Sequence, residues 1–448
     1  MLVINDAGIE DQERGSFFFD YANTIMGQRG AHEAWRLQYL SDLTTLPDYD
    51  DGHTSLGSSG APVDAAGAVV LYHVPVTFER AANDGERWRW LLRQAAVHAP
   101  RLEGATLNVF AEFLRGQFGV QTLRDYPALY NRPMQEVDAH DSIFSLHTLG
   151  EDETIAKLAT GVRRFPLPEE FNFISLYRKM TTMAAAQGYQ PWDALARIFS
   201  DRRQFQTAAE CWRLAIEEYG EGYKGQRRKA LDQIVGNWAR FEPLGRFAPG
   251  VTPDVDMVFR NGEAMEFTAR EIKVERLLAD VKRYLESSPR RIQWQKNEVE
   301  DIGRRLIHHN QRHYLGATAA TWSMTLDPAP GHADSRVTIP IPVKKPGAYL
   351  VTARMKGGNA SRIVVWVSDT VLVEKRLDGG YFYFVADGAT GDPIADATVD
   401  FFGFRQEYQD RIIGGPIPQM ITSRFAEFSD ENGIVMPEPR TCTPIFNG

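Results

Sequence analysis

The hydrophobic periodicity of this chain changes near residue 250. Before that point apolar residues recur at helical spacing. After it they alternate in short runs bounded by Gly, Pro, Asn and Asp, the pattern of half-buried strands. A stripe of period 3.6 and an alternation of period 2 cannot be buried by the same packing, so the expected fold class is multidomain α plus β: an α-helical solenoid followed by antiparallel β-sandwich domains. A chain of 448 residues also exceeds what one core organises, which predicts about two to four domains.

Residues 1–80 read as a mixed N-terminal segment with no assignable role. It holds an aromatic cluster (Phe17, Phe18, Phe19, Tyr21), Trp35, Leu37, Leu40 and Leu43 at near-helical spacing, a loop rich in Pro, Asp, Gly and Ser over 47–67, and a short extended stretch from Val69 to Val76. Residues 81–245 read as an α-helical repeat region. Asp84 is placed to cap a helix from Glu86 in which Trp88, Leu91, Leu92 and Ala95 make an apolar stripe, and Pro100 ends it. A second helix, Ala105–Gly116, carries Leu107, Phe110, Ala111 and Leu114. Residues 125–150 read as irregular, and 151–163 and 171–188 as further helices.

The strongest helical signal is 191–220. Trp192, Leu195 and Phe199 lie on one helix, and Ala208 and Trp212 on the next. Gly220 stands where a C-terminal stop is needed. Large residues on the first helix would pack on the small Ala208, where the second crosses closely. With Ala196, these positions resemble a tetratricopeptide repeat. A following helix is expected over about 226–239, ending in Trp238 and Phe241.

Beyond 250, Val258–Phe267 is two extended runs around Asn261-Gly262, the strongest short hairpin signal. Helices are expected over 275–287 and 296–314, then strands at Trp322–Leu326, Val337–Ile341, Ala348–Met355 and Arg362–Val367. A second β unit follows, with strands at Thr370–Lys375, Tyr381–Val385, Ala397–Phe402 and Phe425–Phe428, and a turn at Ser429–Gly433.

Three local patterns here resemble the macroglobulin-like domains of the bacterial alpha-2-macroglobulin family: Phe259-Arg-Asn-Gly-Glu263; Lys345–Val351 followed by Arg362–Asp369; and Phe384–Val399 followed by Phe428–Gly433. The resemblance implies a macroglobulin-like β-sandwich over 250–368, with a helical insertion near 275–315, and a second, truncated one over 369–448. It further implies the non-enzymatic scaffold portion of a protease-trapping endopeptidase inhibitor. Proteases would be the prey of the full-length protein, in a periplasmic or extracellular location. The family's Cys-Gly-Glu-Gln thioester is not present: Cys211 is followed by Trp-Arg-Leu and Cys442 by Thr-Pro-Ile. No bait segment can be assigned either. The alternative expectation is a stand-alone interaction protein whose helical-repeat groove binds proteins or peptides, with Ig-like spacers.

Other signals are weaker. Gly220-Glu-Gly-Tyr-Lys-Gly225 spells a nucleotide fingerprint, but a helix precedes it where a strand is required. His309 and His313 share a helix face with His308 nearby, yet no third ligand is placed for zinc. Glu136, Asp138, His140 and Asp141 lack calcium-loop spacing. Asn359-Ala-Ser361 is a formal glycosylation sequon. Trp88, Trp90, Trp192, Trp212 and Trp238 sit at packing positions. No catalytic, cofactor-binding or metal residue is therefore assigned, and a hydrolase carrying carbohydrate-binding modules ranks last. Net charge is −9, which speaks against nucleic acid. No segment has transmembrane length and apolarity, and the first residues show no signal-peptide pattern.

Overall fold

The computed structural model describes residues 10–27, 31–42, 60–124, 126, 142–183, 190–243, 247–289, 306, 311–378, 380–409 and 417–437. It is mixed in class, helices together with antiparallel sheets, and divides into two compact units. One is Met1–Gly236 with Ala329–Ser335, and the other is Asn237–Pro328 with Arg336–Gly448. Among the described residues no helix is long and apolar enough to cross a membrane.

The first unit opens with α1 (Asp11–Met26), inside the segment whose sequence reads as mixed. Phe18 and Ala22, four apart, are its buried stripe. Gly15 weakens the helical signal, but a Cβ there would lie 2.4 Å from the Cβ of Ala99, so the glycine permits close approach. Residues 31–38 form a short 3₁₀ segment. In α2 (Asp84–His98) the cap is Asn83 rather than Asp84. Asn83 Oδ1 accepts from Glu86 N at 2.9 Å, and Glu86 Oε2 accepts from Ala82 N at 2.8 Å, a reciprocal capping arrangement. Asp84 is buried instead and accepts from Ser41 Oγ and Arg87 Nη1. Next comes α3 (Glu103–Phe118). The helix expected over 151–163 is a hairpin, β1 (Glu153–Leu158) with β2 (Gly161–Pro166). Gly161, at φ +120°, turns the chain, and the buried Thr154 and Ile155 carry the β-branched side chains that strands favour.

Four helices follow: α4 (Phe173–Thr181), α5 (Pro191–Asp201), α6 (Phe205–Tyr219) and α7 (Gln226–Val235). Each packs on the next. Asn172 caps α4, accepting from Ile174 N and Ser175 N. Residues 184–189, the end of the longer helix expected there, lie outside the described residues. The helix expected to 239 stops at Val235, and Trp238–Phe241 is strand β3. A single core of buried residues runs from Phe18 through Trp88, Phe110, Tyr177, Leu195 and Trp212 to Ile234.

The second unit contains a sandwich. One sheet has the order β3–β4–β7, with β4 Asp254–Arg260 and β7 Ser335–Pro340. The other has the order β6–β5–β8–β9, with β5 Ala264–Ile272, β6 Leu315–Thr325, β8 Gly347–Met355 and β9 Ala360–Val367. The Asn261-Gly262 hairpin is overturned. β4 and β5 do not pair with each other; they belong to opposite sheets, and Asn261-Gly262 is an arch over the core edge. Asn261 takes φ +61° as its residue type allows, but Gly262 has no positive φ; a type I′ hairpin turn needs both. A Cβ on Gly262 would meet Met355 Sδ at 2.0 Å, so this glycine serves packing. Phe259, Phe267, Ile339, Val351 and Val365 fill the space between the sheets.

The amphipathic α8 (Val274–Glu286) covers one end of the outer face of the four-stranded sheet. It buries Leu277, Val281 and Leu285 against Ile272, Ala348 and Leu350. Only Leu306 is described between residues 289 and 311, so the helix expected over 296–314 falls largely outside the described residues. Its last residues, Arg312–Tyr314, form a 3₁₀ turn.

The final segment has a three-stranded sheet of order β10–β11–β14 and a separate ribbon. β10 is Thr370–Leu377, β11 Gly380–Asp387 and β14 Ile434–Val435; the ribbon pairs β12 (Thr398–Gln409) with β13 (Ile417–Phe428). Its core is small, Tyr383, Val385 and Val435 with half-buried neighbours.

Candidate functional site

The helical pair α5–α6 is where sequence and structure meet most closely. Leu195, Ala196, Phe199, Ala208 and Trp212 are all buried. Trp192 is only half-buried, and its Nε1 donates to Glu218 Oε2 at 2.9 Å. Gly220 ends α6 at φ +71°.

The Gly220–Gly225 motif is the link between α6 and α7, and it has no preceding strand. Its glycines at 220, 222 and 225 all take positive φ. Arg227 packs against this loop. Its Nη1 donates to Gly220 O at 3.0 Å and Tyr219 O at 3.3 Å, while Nε and Nη2 bind the two oxygens of Asp193 at 2.6 and 3.0 Å. Gln190 Oε1 takes a further Nη2 hydrogen at 2.7 Å. The motif is a docking point for a buried arginine, and it joins the start of α5 to the start of α7.

A second buried arginine was not visible in the sequence. Arg202, at the end of α5, donates to Gly150 O at 2.9 Å and Glu153 O at 2.7 Å. Burial lowers its pKa to about 10. Nearby, Glu153 accepts from Arg164 Nη2 at 2.6 Å and from Gly150 N at 3.0 Å. The Arg164 hydrogen bond first, then that from Gly150, hold its carboxyl below the usual range. Arg-Arg within a polar run carries no signal of burial, because the receiving carbonyls lie about fifty residues away in sequence.

Cys211 is buried on α6, and burial raises its thiol to about 11, the opposite of an activated thiolate. Cys442, the pair His308 and His309, and the cluster Glu136, Asp138, His140 and Asp141 lie outside the described residues. His313 is exposed and rests on the Tyr314 ring at 3.9 Å. No group of three potential metal ligands occurs among the described residues. Trp88 is wholly buried against Phe113 at 4.9 Å, Trp90 stacks edge-on to Phe18 at 5.6 Å, and Arg240 lies over Trp238.

The sequon is a structural joint. Asn359 Oδ1 accepts from Ala239 N at 2.8 Å, and its Nδ2 donates to Ala239 O at 2.9 Å; Ser361 Oγ accepts from Phe241 N at 3.1 Å. These side chains pair with the β3 backbone as a strand would, linking the two sheets. A glycan on Nδ2 would remove the bond to Ala239 O.

No protein-family model matches this chain, and no curated protein matches it. Solved structures that do match include native alpha-2-macroglobulin from Escherichia coli spanning domains NIE-MG1, at 14% identity and TM-score 0.29, over 46% of this chain and 88% of that one. A fragment of the same protein spanning MG0-NIE-MG1 matches at 14% identity and TM-score 0.27, over 46% of this chain and 62% of that one. A mutant Salmonella alpha-2-macroglobulin matches at 12% identity and TM-score 0.23, over 46% of this chain and 11% of that one. The matched part spans 12% of the longer E. coli chain. Scores this low carry no argument about the fold or the function of this chain.

Proposed function

We propose that this chain is the scaffold portion of an alpha-2-macroglobulin-like protease trap, without catalytic chemistry of its own. The supporting observation is the serial arrangement of β modules behind a helical unit. A two-sheet sandwich ends at Val367, and only Ser368 and Asp369 separate it from the next sheet at Thr370. The family-like patterns fall on structural joints of these modules: the Asn261 arch, the Lys345–Val351 entry into β8, and the Asp387 and Asp430 turns. Asp387 Oδ1 accepts from Ala389 N and Thr390 N, and Asp430 Oδ1 from Asn432 N and Ile434 N. Short joints suit a molecule that must hold a cage geometry. On this reading the prey are endopeptidases bound by the full-length protein, in the periplasm or outside the cell.

The test is to sequence the gene on both sides of this reading frame and to assay its full product against endopeptidases. The expected product contains further sandwich modules and a Cys-Gly-Glu-Gln site, and it shields a bound protease from large substrates while small peptides are still cut. A product that ends at Gly448 and leaves protease action on large substrates unchanged would overturn the reading.

A second reading rests on α4 to α7, which pack each on the next as helical-repeat units do. A tetratricopeptide-like groove there would bind extended peptides. Peptide-array capture abolished by substitutions on exposed faces of α5 and α7, with folding intact, would favour it.

A further inference from the structure

We propose that the outer face of the four-stranded sheet holds a binding site for a compact polyvalent oxyanion, one carrying two or more carboxylate or phosphate groups. The site does not depend on the scaffold reading.

It is built by strand register. Thr268 on β5 pairs with Thr352 on β8, which pairs in turn with Arg362 on β9, while Glu266 pairs with Arg354 and Arg270 with Leu350. Directly paired residues, and residues two apart on one strand, share a face. Arg270, Arg354 and Arg362 therefore leave the same side of the sheet. Arg312, in the turn before β6, adds a fourth guanidinium, and these residues with Thr268 and Thr352 line a cavity of about 230 Å³.

The cluster differs from several other arginines of the molecule. Arg87, Arg115, Arg164, Arg227 and Arg336 each have a carboxylate partner. Among the described residues, Arg312, Arg354 and Arg362 form no ion pair and no side-chain hydrogen bond. Arg270 donates from Nη2 to Gly316 O at 2.9 Å, and its buried Nε has no partner. Among the described residues, the cavity lining includes no acidic side chain. Glu266 stands opposite Arg354 in register but makes no ion pair with it among the described residues. Four like charges around one cavity repel each other, in a chain whose net charge is −9. A multivalent oxyanion relieves that repulsion and can accept paired N–H bonds from the planar guanidinium forks, with threonine hydroxyls as further donors. A small polycarboxylate or phosphate ester offers this chemistry, and so do neighbouring acidic side chains of a polypeptide.

The experiment is isothermal titration of the whole chain with citrate, with pyrophosphate and with a hexaglutamate peptide, each at two salt concentrations. It is repeated on Arg362→Gln and on Arg354→Gln with Arg362→Gln. Both positions are exposed, so melting temperatures should match the parent. Expected is saturable binding of at least one probe, weakened at least about tenfold by the double substitution and only partly restored by lysine at both sites. Tighter binding of the peptide than of the small anions would identify the source as polypeptide, and the reverse order a free metabolite. No heat at millimolar concentration of any probe, or binding unchanged by the double substitution, would overturn the proposal.

Discussion

Asp193 and Arg227 form a bidentate ion pair inside the helical unit, with contacts of 2.6 and 3.0 Å and side chains only 6% and 3% exposed. It ties the first turn of α5 to the first turn of α7 across the whole of α6. Removing one partner leaves the other charge buried and uncompensated. Asp193→Ala or Arg227→Ala should each cost about 3–5 kcal/mol. The combination of Asp193→Leu with Arg227→Met should cost less than the sum of the two. Denaturant titration followed by the far-ultraviolet helix signal measures this. Additive losses would show that the pair is not coupled.

Asn359 stands in for a strand at the join of the two sheets. Asn359→Ala leaves the Ala239 N–H and carbonyl without their partner at a half-closed edge, which predicts a loss of about 1–3 kcal/mol. Hydrogen exchange should rise at Ala239 and Phe241 before it rises in β5. Unchanged protection at both amides would contradict the assignment.

Gly433 takes φ +72°, and a Cβ there would lie 2.5 Å from Val385 O. The backbone bond from Val385 N to Gly433 O, at 2.8 Å, holds β14 against β11. Gly433→Ala should destabilise the last sheet by more than about 1 kcal/mol, and limited proteolysis should cut within 380–437 sooner than in the parent. Equal cleavage rates would show that the turn tolerates a side chain.

Glu153 gives the helical unit an acid-sensitive joint. Its carboxyl titrates lower in the folded chain than in the unfolded one, chiefly through the Arg164 hydrogen bond. Ionised Glu153 therefore stabilises the fold above the ordinary carboxylate pKa of about 4.3, and the contribution is lost as pH falls through the lower, folded value. Thermal melts between neutral pH and pH values below that range should show a fall in stability that is shallower in Glu153→Gln. Parallel curves would remove Glu153 from the account.

Cys211 should resist alkylation. With the thiol buried and raised to about 11, the thiolate that reacts is scarce at pH 8 and shielded from reagent. Mass mapping after iodoacetamide treatment should find Cys211 modified only in denaturant. Rapid modification in the native protein would show that α6 opens readily.

Much of the local structure was legible because it is written locally. Helices at 84–98, 191–201, 205–219 and 274–286 follow apolar stripes that any helix would bury. The strands from Ser335 to Val367 follow alternation. Where local signals conflicted, reading failed. α1 lies in the segment that reads as mixed, and its Gly15 serves a close contact with Ala99 that no local pattern announces. The run 151–163 held enough Ala, Leu and Lys to look helical, and the hairpin won because Thr154 Oγ1 reaches Phe118 O at 2.6 Å and Arg202 holds the Glu153 carbonyl.

By itself the sequence determined that helical and extended segments both occur, where the strongly periodic ones lie, and that the fingerprint-like glycines follow a helix. Tertiary structure alone decided which sheet each strand joins, why β4 and β5 part at Asn261, and which arginines are buried. It also decided that Asn359 closes a sheet and that four arginines surround one cavity. The reason is separation along the chain. Asn359 meets Ala239 across 120 residues, and Arg202 meets Glu153 across 49. A pairing at that distance is selected by the joint burial of a whole core, and no window of neighbouring residues contains it.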